Sequence, residues 1–287
     1  MAIRVGIGGW TFEPWRGVFY PEGLSQAKEL AYAATHLATI EINGTFYRTP
    51  SAKSCADWAR QVPDGFVFAL KATRYVTHRK VLAEAQESIG KFISSGIVEL
   101  GDRLGPINWQ FAATKAFDPD DFAAFLALLP KAHDGVTLRH ALEVRHPSFA
   151  VPEFVALARR HEVAVVFADH ETYPAIPDLT ADFTYARLQQ TQEKVTTGYS
   201  AAGIARWAKA GQAWAKGTMP DGLAPLDQAA AGEGGKSAGK AAAKGKAAAG
   251  KASAEAPARD VFIYLISGAK VRNPAGAMAL QTAVDKS

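Results

Sequence analysis

Cysteine occurs once in the 287 residues, at Cys55, so the chain can build neither an internal disulfide framework nor a cysteine-rich zinc site. Long apolar runs are missing as well. Nothing approaches the roughly 18 consecutive apolar residues that a membrane helix needs, which leaves no membrane partner to expect. Ser148, Ser200 and Ser267 have no nucleophile setting such as G-x-S-x-G, so serine hydrolase chemistry has no support. His-x-His and HExxH spacings are equally absent. What remains is an ordinary globular balance of 48% hydrophobic and 21% charged residues, which excludes a chain disordered throughout. The opening residues run straight into a strand-like segment at 3–8, so the expectation is no signal peptide and a cytoplasmic protein.

The formal charge of +4 is unevenly spread. Segment 231–258 holds Lys236, Lys240, Lys244, Lys246 and Lys251 against Glu233 and Glu255. That tract carries +3, leaving the rest of the chain near neutral. It contains no aromatic, leucine, isoleucine or valine and so has nothing to bury against the entropy cost of ordering. It reads as a flexible Ala/Lys/Gly-rich insertion at about 226–258. Its lysines offer non-specific contact to the phosphates of a nucleic acid. Gly234 to Lys240 comes close to a phosphate-binding loop, but Ala241 stands where a serine or threonine would hold magnesium.

Elsewhere strand-like and amphipathic helical stretches alternate. Strands are expected at 3–8, 39–43, 66–71, 108–111, 140–145, 163–169, 183–188 and 261–266. Helices are expected at 25–37, from the Asp118-Pro119 cap signal onward, at 152–161, at 201–215 and at 273–283. Eight strands alternating with helices give an α/β protein, best read as one (β/α)8 TIM-barrel-like domain over 1–287, with the insertion before the last strand. An open doubly wound sheet is the alternative.

Barrel strands are buried on both faces and should be almost wholly apolar. These are not. Period-two alternation puts Ile40 and Ile42 on one face and Thr39, Glu41 and Asn43 on the other. The same parity sets Phe66, Phe68 and Leu70 against Lys71, Leu142 and Val144 against Glu143 and Arg145, and Ala186 and Leu188 against Tyr185 and Arg187. With the apolar faces outward, Glu41, Glu143 and Asp169 would meet Lys71, Arg145 and Arg187 at the strands' C-terminal ends, with Asn43, Gln110 and Tyr185 adding hydrogen bonds. Active sites of barrel enzymes are built there. A self-satisfied ion network is the bland alternative, but six desolvated charges seldom improve on an apolar core.

His146 and His170 directly follow the fifth and sixth strands. With Glu143 and Asp169 they could make a mixed nitrogen-and-oxygen set for a divalent metal, although no motif demands one. His78 is a further mouth candidate. His36, His133, His140 and His161 read as surface or packing residues. Trp10, Phe12, Trp15, Phe46, Tyr47 and Tyr75 follow the first three strands and could stack on a sugar or base, or cap the barrel as packing. Cys55 lies in an expected helix and reads as packed.

Several of these motifs occur together in a known family. Gly6-Ile7-Gly8-Gly9-Trp10, the run from Trp15 to Pro21, and Glu41-Ile42-Asn43-Gly44-Thr45-Phe46-Tyr47 open the series. Phe68 to Lys71, Leu104-Gly105-Pro106 with Gln110-Phe111, Glu143-Val144-Arg145-His146-Pro147-Ser148 and Asp169 continue it. On these the chain resembles the YecE-like family, a domain family of unknown function (family 72) with a TIM-barrel-like fold and no settled activity. The resemblance implies a fold like those of sugar isomerases and of metal-dependent apurinic endonucleases. The family's expected strand-seven ending Tyr-x-Arg-x-His-Gly reads Tyr185-Ala186-Arg187-Leu188-Gln189-Gln190 here. The Phe-Asn-Asn-Asp expected on the last strand reads Leu265-Ile266-Ser267-Gly268. Both departures remove polar groups from the mouth.

Three readings follow. An enzyme would use Lys71, Arg145 and Arg187 on an anionic or sugar-like small molecule, with Glu143 and Asp169 or Glu41 as an acid/base pair and Asn43, Tyr47, Gln110, His146, Tyr185 and Trp10 around the substrate. A nucleic-acid binder or nuclease would use the lysine tract as an arm. A non-catalytic ligand-binding barrel would have its lumen sealed by Trp10, Tyr47 and Trp109. Substrate, reaction, cofactor and oligomeric state are not legible.

Overall fold

The computed structural model describes residues 1–226 and 258–286; the insertion expected at about 226–258 falls almost wholly outside them. Eight parallel strands carry the architecture: β1 (Ile3–Gly8), β2 (Thr39–Ile42), β3 (Val67–Lys71), β4 (Leu104–Gln110), β5 (His140–Glu143), β6 in two pieces (Ala164–Val165 and Phe167–Asp169), β7 (Phe183–Leu188) and β8 (Asp260–Leu265). Around them lie α1 (Glu29–Ala34), α2 (Ala52–Arg60), α3 (Arg74–Thr77), α4 (Gln86–Ile93), α5 (Pro119–Ala127), α6 (Pro152–Arg160), α7 (Ala201–Ala215) and α8 (Asn273–Asp285). The sheet runs Ala164–Val165, β5, β4, β3, β2, β1, β8, β7, Phe167–Asp169. Its two ends are the two pieces of β6, so the ring closes there apart from a break at Val166. This is a TIM-barrel-like α/β fold.

Capping explains several helix starts. The Asp118 carboxylate accepts the N–H groups of Asp120 and Asp121 ahead of Pro119 at the first position of α5. Ser51 and Ser200 cap α2 and α7 through the N–H groups of Ser54 and Gly203. The helix expected over 25–37 is shorter: a 3-10 turn at Gln26–Lys28 leads into α1. Thr35 ends α1 by turning both its N–H and its hydroxyl onto the Tyr32 carbonyl. Strand β4 starts four residues before the expected 108, because Pro106 falls where the β3–β4 register shifts and no regular ladder bond is lost.

Alternation divides the core. Ile40, Ile42, Phe68, Leu70, Ile107, Trp109, Leu142, Val165, Phe167, Ala186 and Leu188 pack outward against the helices. Val67, Ala69, Ala141, Ala164, Val166, Phe183, Tyr185, Phe262 and Tyr264 fill the lumen. Among the described residues no helix is long and apolar enough to cross a membrane.

Candidate functional site

Small lumen residues near the mouth, Ala69 and Ala141 with Gly6 and Gly8, leave space for long polar side chains from neighbouring strands. At Gly8 an added Cβ would lie 2.7 Å from the Asn43 amide nitrogen. Deeper in the lumen, Thr39 on β2 donates to the Val67 carbonyl at 2.6 Å and meets the Tyr264 hydroxyl at 2.8 Å.

Above them sit two fully buried carboxylates. Glu41 on β2 accepts the Tyr185 hydroxyl, Arg187 Nη2 at 3.0 Å and Asn108 Nδ2 at 3.4 Å. Glu143 on β5 accepts Arg187 Nη1 at 2.5 Å, Asn108 Nδ2 at 3.2 Å, and Arg145 Nε and Nη2 at 3.0 and 2.7 Å. Burial works to raise the Glu143 pKa, but Arg187 and Arg145 overcome it and bring it down to about 2. Burial and the Glu41 charge push the Tyr185 phenol well above its ordinary value, so it stays a donor. Among the described residues, Arg187 Nε and Asn108 Oδ1 are buried without a partner.

Lys71, at the end of β3, is the fifth charge of this group. Among the described residues no acceptor lies within hydrogen-bond reach of its ammonium, which sits 4.1 Å from the Phe46 ring centroid. Burial, helped by Arg187 and opposed by Glu41 and Glu143, brings its pKa down to about 8. Over these groups opens a cleft of about 1240 Å³ at the C-terminal ends of the strands. Arg48, Lys71, Arg145, Arg187 and Lys270 line it, with Asn43, Gln110, Gln189 and Ser267, and among the described residues no carboxylate does. Lys270 rests on the Phe12 and Trp15 rings, 4.2 and 5.4 Å from their centroids.

The expected site residues therefore divide. Glu41, Glu143, Lys71, Arg145, Arg187 and Tyr185 come together, and Asn43, Gln110, Tyr47 and Trp10 line the cleft above. Asp169 does not join them. Its parity is that of Val165 and Phe167, which face the helices, and its carboxylate accepts the Tyr199 hydroxyl at 2.6 Å and Gln190 Nε2 at 2.7 Å. His146 lies outside the cleft lining, its Nδ1 accepting the Ser148 N–H. His170 stacks on Tyr173 at 3.7 Å. The expected metal set thus disperses, and among the described residues no three His, Cys, Asp or Glu side chains gather as metal ligands. Trp109 packs outward on Phe92 and Phe125 rather than sealing the lumen. Trp15, expected at the mouth, is fully buried, as are Cys55 in α2 and, nearly so, His140 on β5 between Trp109 and the Pro130 carbonyl.

Sequence reasoning missed Asn108, although it lies two residues before Gln110 on the same face of β4. It also missed Tyr264, Arg48 and Lys270, which carry no local pattern.

A family profile described as "Protein of unknown function DUF72" matches residues 4–287. The chain belongs to this family. A DUF72 protein of solved structure from Thermotoga maritima is 22% identical and superposes with a TM-score of 0.64, over 100% of this chain and 98% of that one. Another, from Enterococcus faecalis, gives 17% identity and a TM-score of 0.63 over 100% and 96%. At these identities the likeness concerns the fold. A shorter similarity, 29% over 75 residues, links the chain to UPF0759 protein YunF of Bacillus subtilis and spans 26% of each. DUF72 membership thus brings the barrel and no chemistry with it.

Proposed function

We propose that this DUF72 barrel is an enzyme acting on a small polar anion, sugar- or phosphate-like, held at the C-terminal mouth. One observation carries the reading: among the described residues the cleft is lined by five Lys and Arg side chains and no carboxylate. Positive charge gathered in a partly desolvated concavity costs free energy unless an anion fills it. The two carboxylates beneath are spent on Arg145, Arg187, Asn108 and Tyr185, so they position guanidiniums rather than repel a ligand. Arg145 and Arg187 hold the anionic group and stabilise developing negative charge. Lys71, with a pKa of about 8, exchanges the proton near neutral pH. Glu143, kept ionised, does not.

Thermal unfolding with inorganic phosphate, a sugar phosphate and the matching neutral sugar tests this at constant ionic strength. The phosphorylated compounds should raise the melting temperature of the wild type, with the neutral sugar inert and the effect lost in Lys71→Met and Lys270→Met. Equal indifference to all three compounds would sink the reading.

A nucleic-acid ligand is the second reading, favoured by Tyr47 and Tyr75. They stand 62% and 59% exposed with the Arg74 guanidinium 5.7 and 5.8 Å from their ring centroids, as aromatic platforms for bases do. Oligonucleotide binding unaffected by Tyr47→Ala with Tyr75→Ala would remove that support.

A further inference from the structure

We propose that Lys71 forms an imine with a carbonyl compound that also carries an anionic group, either a 2-oxo acid or a phosphorylated aldehyde or ketone. This rests on the anion reading of the mouth and adds a covalent step to it.

A lysine buried in a barrel ordinarily pairs with a carboxylate, and two carboxylates act on Lys71 electrostatically. Neither accepts a hydrogen bond from it. Glu41 is occupied by Tyr185, Arg187 and Asn108, and Glu143 by Arg187, Arg145 and Asn108. The Lys71 amine is left at the cleft with the Phe46 ring as its near neighbour. An amine desolvated against an apolar wall and beside other cations is the arrangement that makes a lysine nucleophilic. With a pKa of about 8, roughly a tenth of it is neutral at pH 7.

The surroundings also supply what a carbonyl acid or phosphate needs. Arg145 and Arg187 line the same cleft. The Arg187 Nε donor is buried and unpartnered on a side chain only 3% exposed. Gln110, 7% exposed, lines the same cleft and holds a buried Oε1 with no partner among the described residues.

The step balances without a further reactant. The amine lone pair attacks the carbonyl carbon, the C=O π pair moves to oxygen, and that oxygen takes the proton shed by the ammonium. The nitrogen gives up a second proton to the hydroxyl, which leaves as water while the nitrogen lone pair closes the C=N bond. Ammonium plus carbonyl becomes protonated imine plus water, with charge conserved.

Reductive trapping tests this in the full-length chain, using pyruvate, glyoxylate and dihydroxyacetone phosphate, each with cyanoborohydride at neutral pH, followed by intact-mass measurement and peptide mapping. At least one probe should give a single adduct on the Lys71 peptide, about tenfold or more above the exposed lysines Lys53 and Lys91. Lys71→Arg, which keeps the charge, should lose that adduct while melting cooperatively. Labelling spread over surface lysines with no excess at Lys71, in a protein that phosphate still stabilises, overturns the imine and leaves the anion site standing. Absence of both overturns the two together.

Discussion

At Glu143 burial and two guanidiniums pull in opposite directions, and the guanidiniums win. Its folded pKa of about 2 lies below the ordinary 4.5. The folded state therefore gains stability from it above pH 4.5 and loses that gain as pH falls from 4.5 to 2, worth about 3 kcal/mol. Glu143→Gln should flatten that part of the pH profile. By leaving Arg187 Nη1 and Arg145 without their anion it should also cost about 3–5 kcal/mol at pH 7, read as the shift in urea midpoint. Lys71 gives a pH slope of the same sign for a different reason, burial disfavouring its charged form. With its pKa lowered from 10.5 to about 8 by burial and Arg187, against Glu41 and Glu143, the unfolded chain holds that proton more tightly. This group makes stability rise with pH between 8 and 10.5, and Lys71→Met should abolish the rise in a denaturation series. An anion in the cleft wants the ammonium, so sulfate, which does not titrate in this range, should bind more weakly as pH passes 8 in the wild type and show no such break in Lys71→Met. A calorimetric affinity that is flat from pH 7 to 9.5 would contradict this. These side chains were legible because period two in short strands puts Glu41, Lys71, Glu143 and Arg187 opposite apolar neighbours. Asp169 was misplaced by the rule's neglect rather than its failure, since its parity follows Val165 and Phe167 outward. Hydrogen-bond saturation, which turns Glu143 from acid/base candidate into anchor, exists only in three dimensions.

Helix α5 shows how local chemistry sets an element's start. Asp118 serves two N–H groups at 3.1 Å each, and Pro119 needs none. Asp118→Ala should cost about 1 kcal/mol, with the Pro119 start retained, and a thermal melt unchanged from wild type would show the cap to be idle. The Asp-Pro signal and the serine caps were readable because they act within four residues. The Asp134-Gly135 pair carries a local signal of the same kind, which the sequence reading passed over. Its backbone takes φ of 46 and 76 between Ala132–His133 and Val136–Thr137, the left-handed pair that an antiparallel two-residue turn requires. Strand β4 resisted because its early start depends on β3. Gly105 packs so tightly there that an added Cβ would lie 2.6 Å from the Phe68 carbonyl oxygen, and Pro106 is tolerated by the register shift beside it. The break in β6 likewise depends on partners, one piece pairing with β5 and the other with β7.

Positive charge has two sources in the sequence, and they make separable predictions for the whole molecule. Segment 231–258 holds three of the four net charges, while the cleft holds cations that the carboxylates beneath do not fully neutralise. Both flanks of the tract are tied to one stretch of the β6–β7 connection. The Leu226 N–H bonds to Asp178 at 3.0 Å, and Arg259 donates to the Ala181 carbonyl at 3.0 Å. With anchors only three residues apart in sequence, a short Gly/Ser linker should replace 231–258 without disturbing β7 or β8. If the tract's lysines contact DNA phosphates, that retention is salt-sensitive, and the deletion should elute from immobilised DNA at clearly lower salt than the wild type. Stabilisation by phosphate should be unchanged if the anion is held by Arg48, Lys71, Arg145, Arg187 and Lys270, all of which lie outside the deleted tract. If the deletion instead abolishes the phosphate effect while the barrel still melts cooperatively, the tract rather than the mouth supplies the anion contacts. Lys71, Arg145 and Arg187 would then be left as a structural ion network with no ligand to serve.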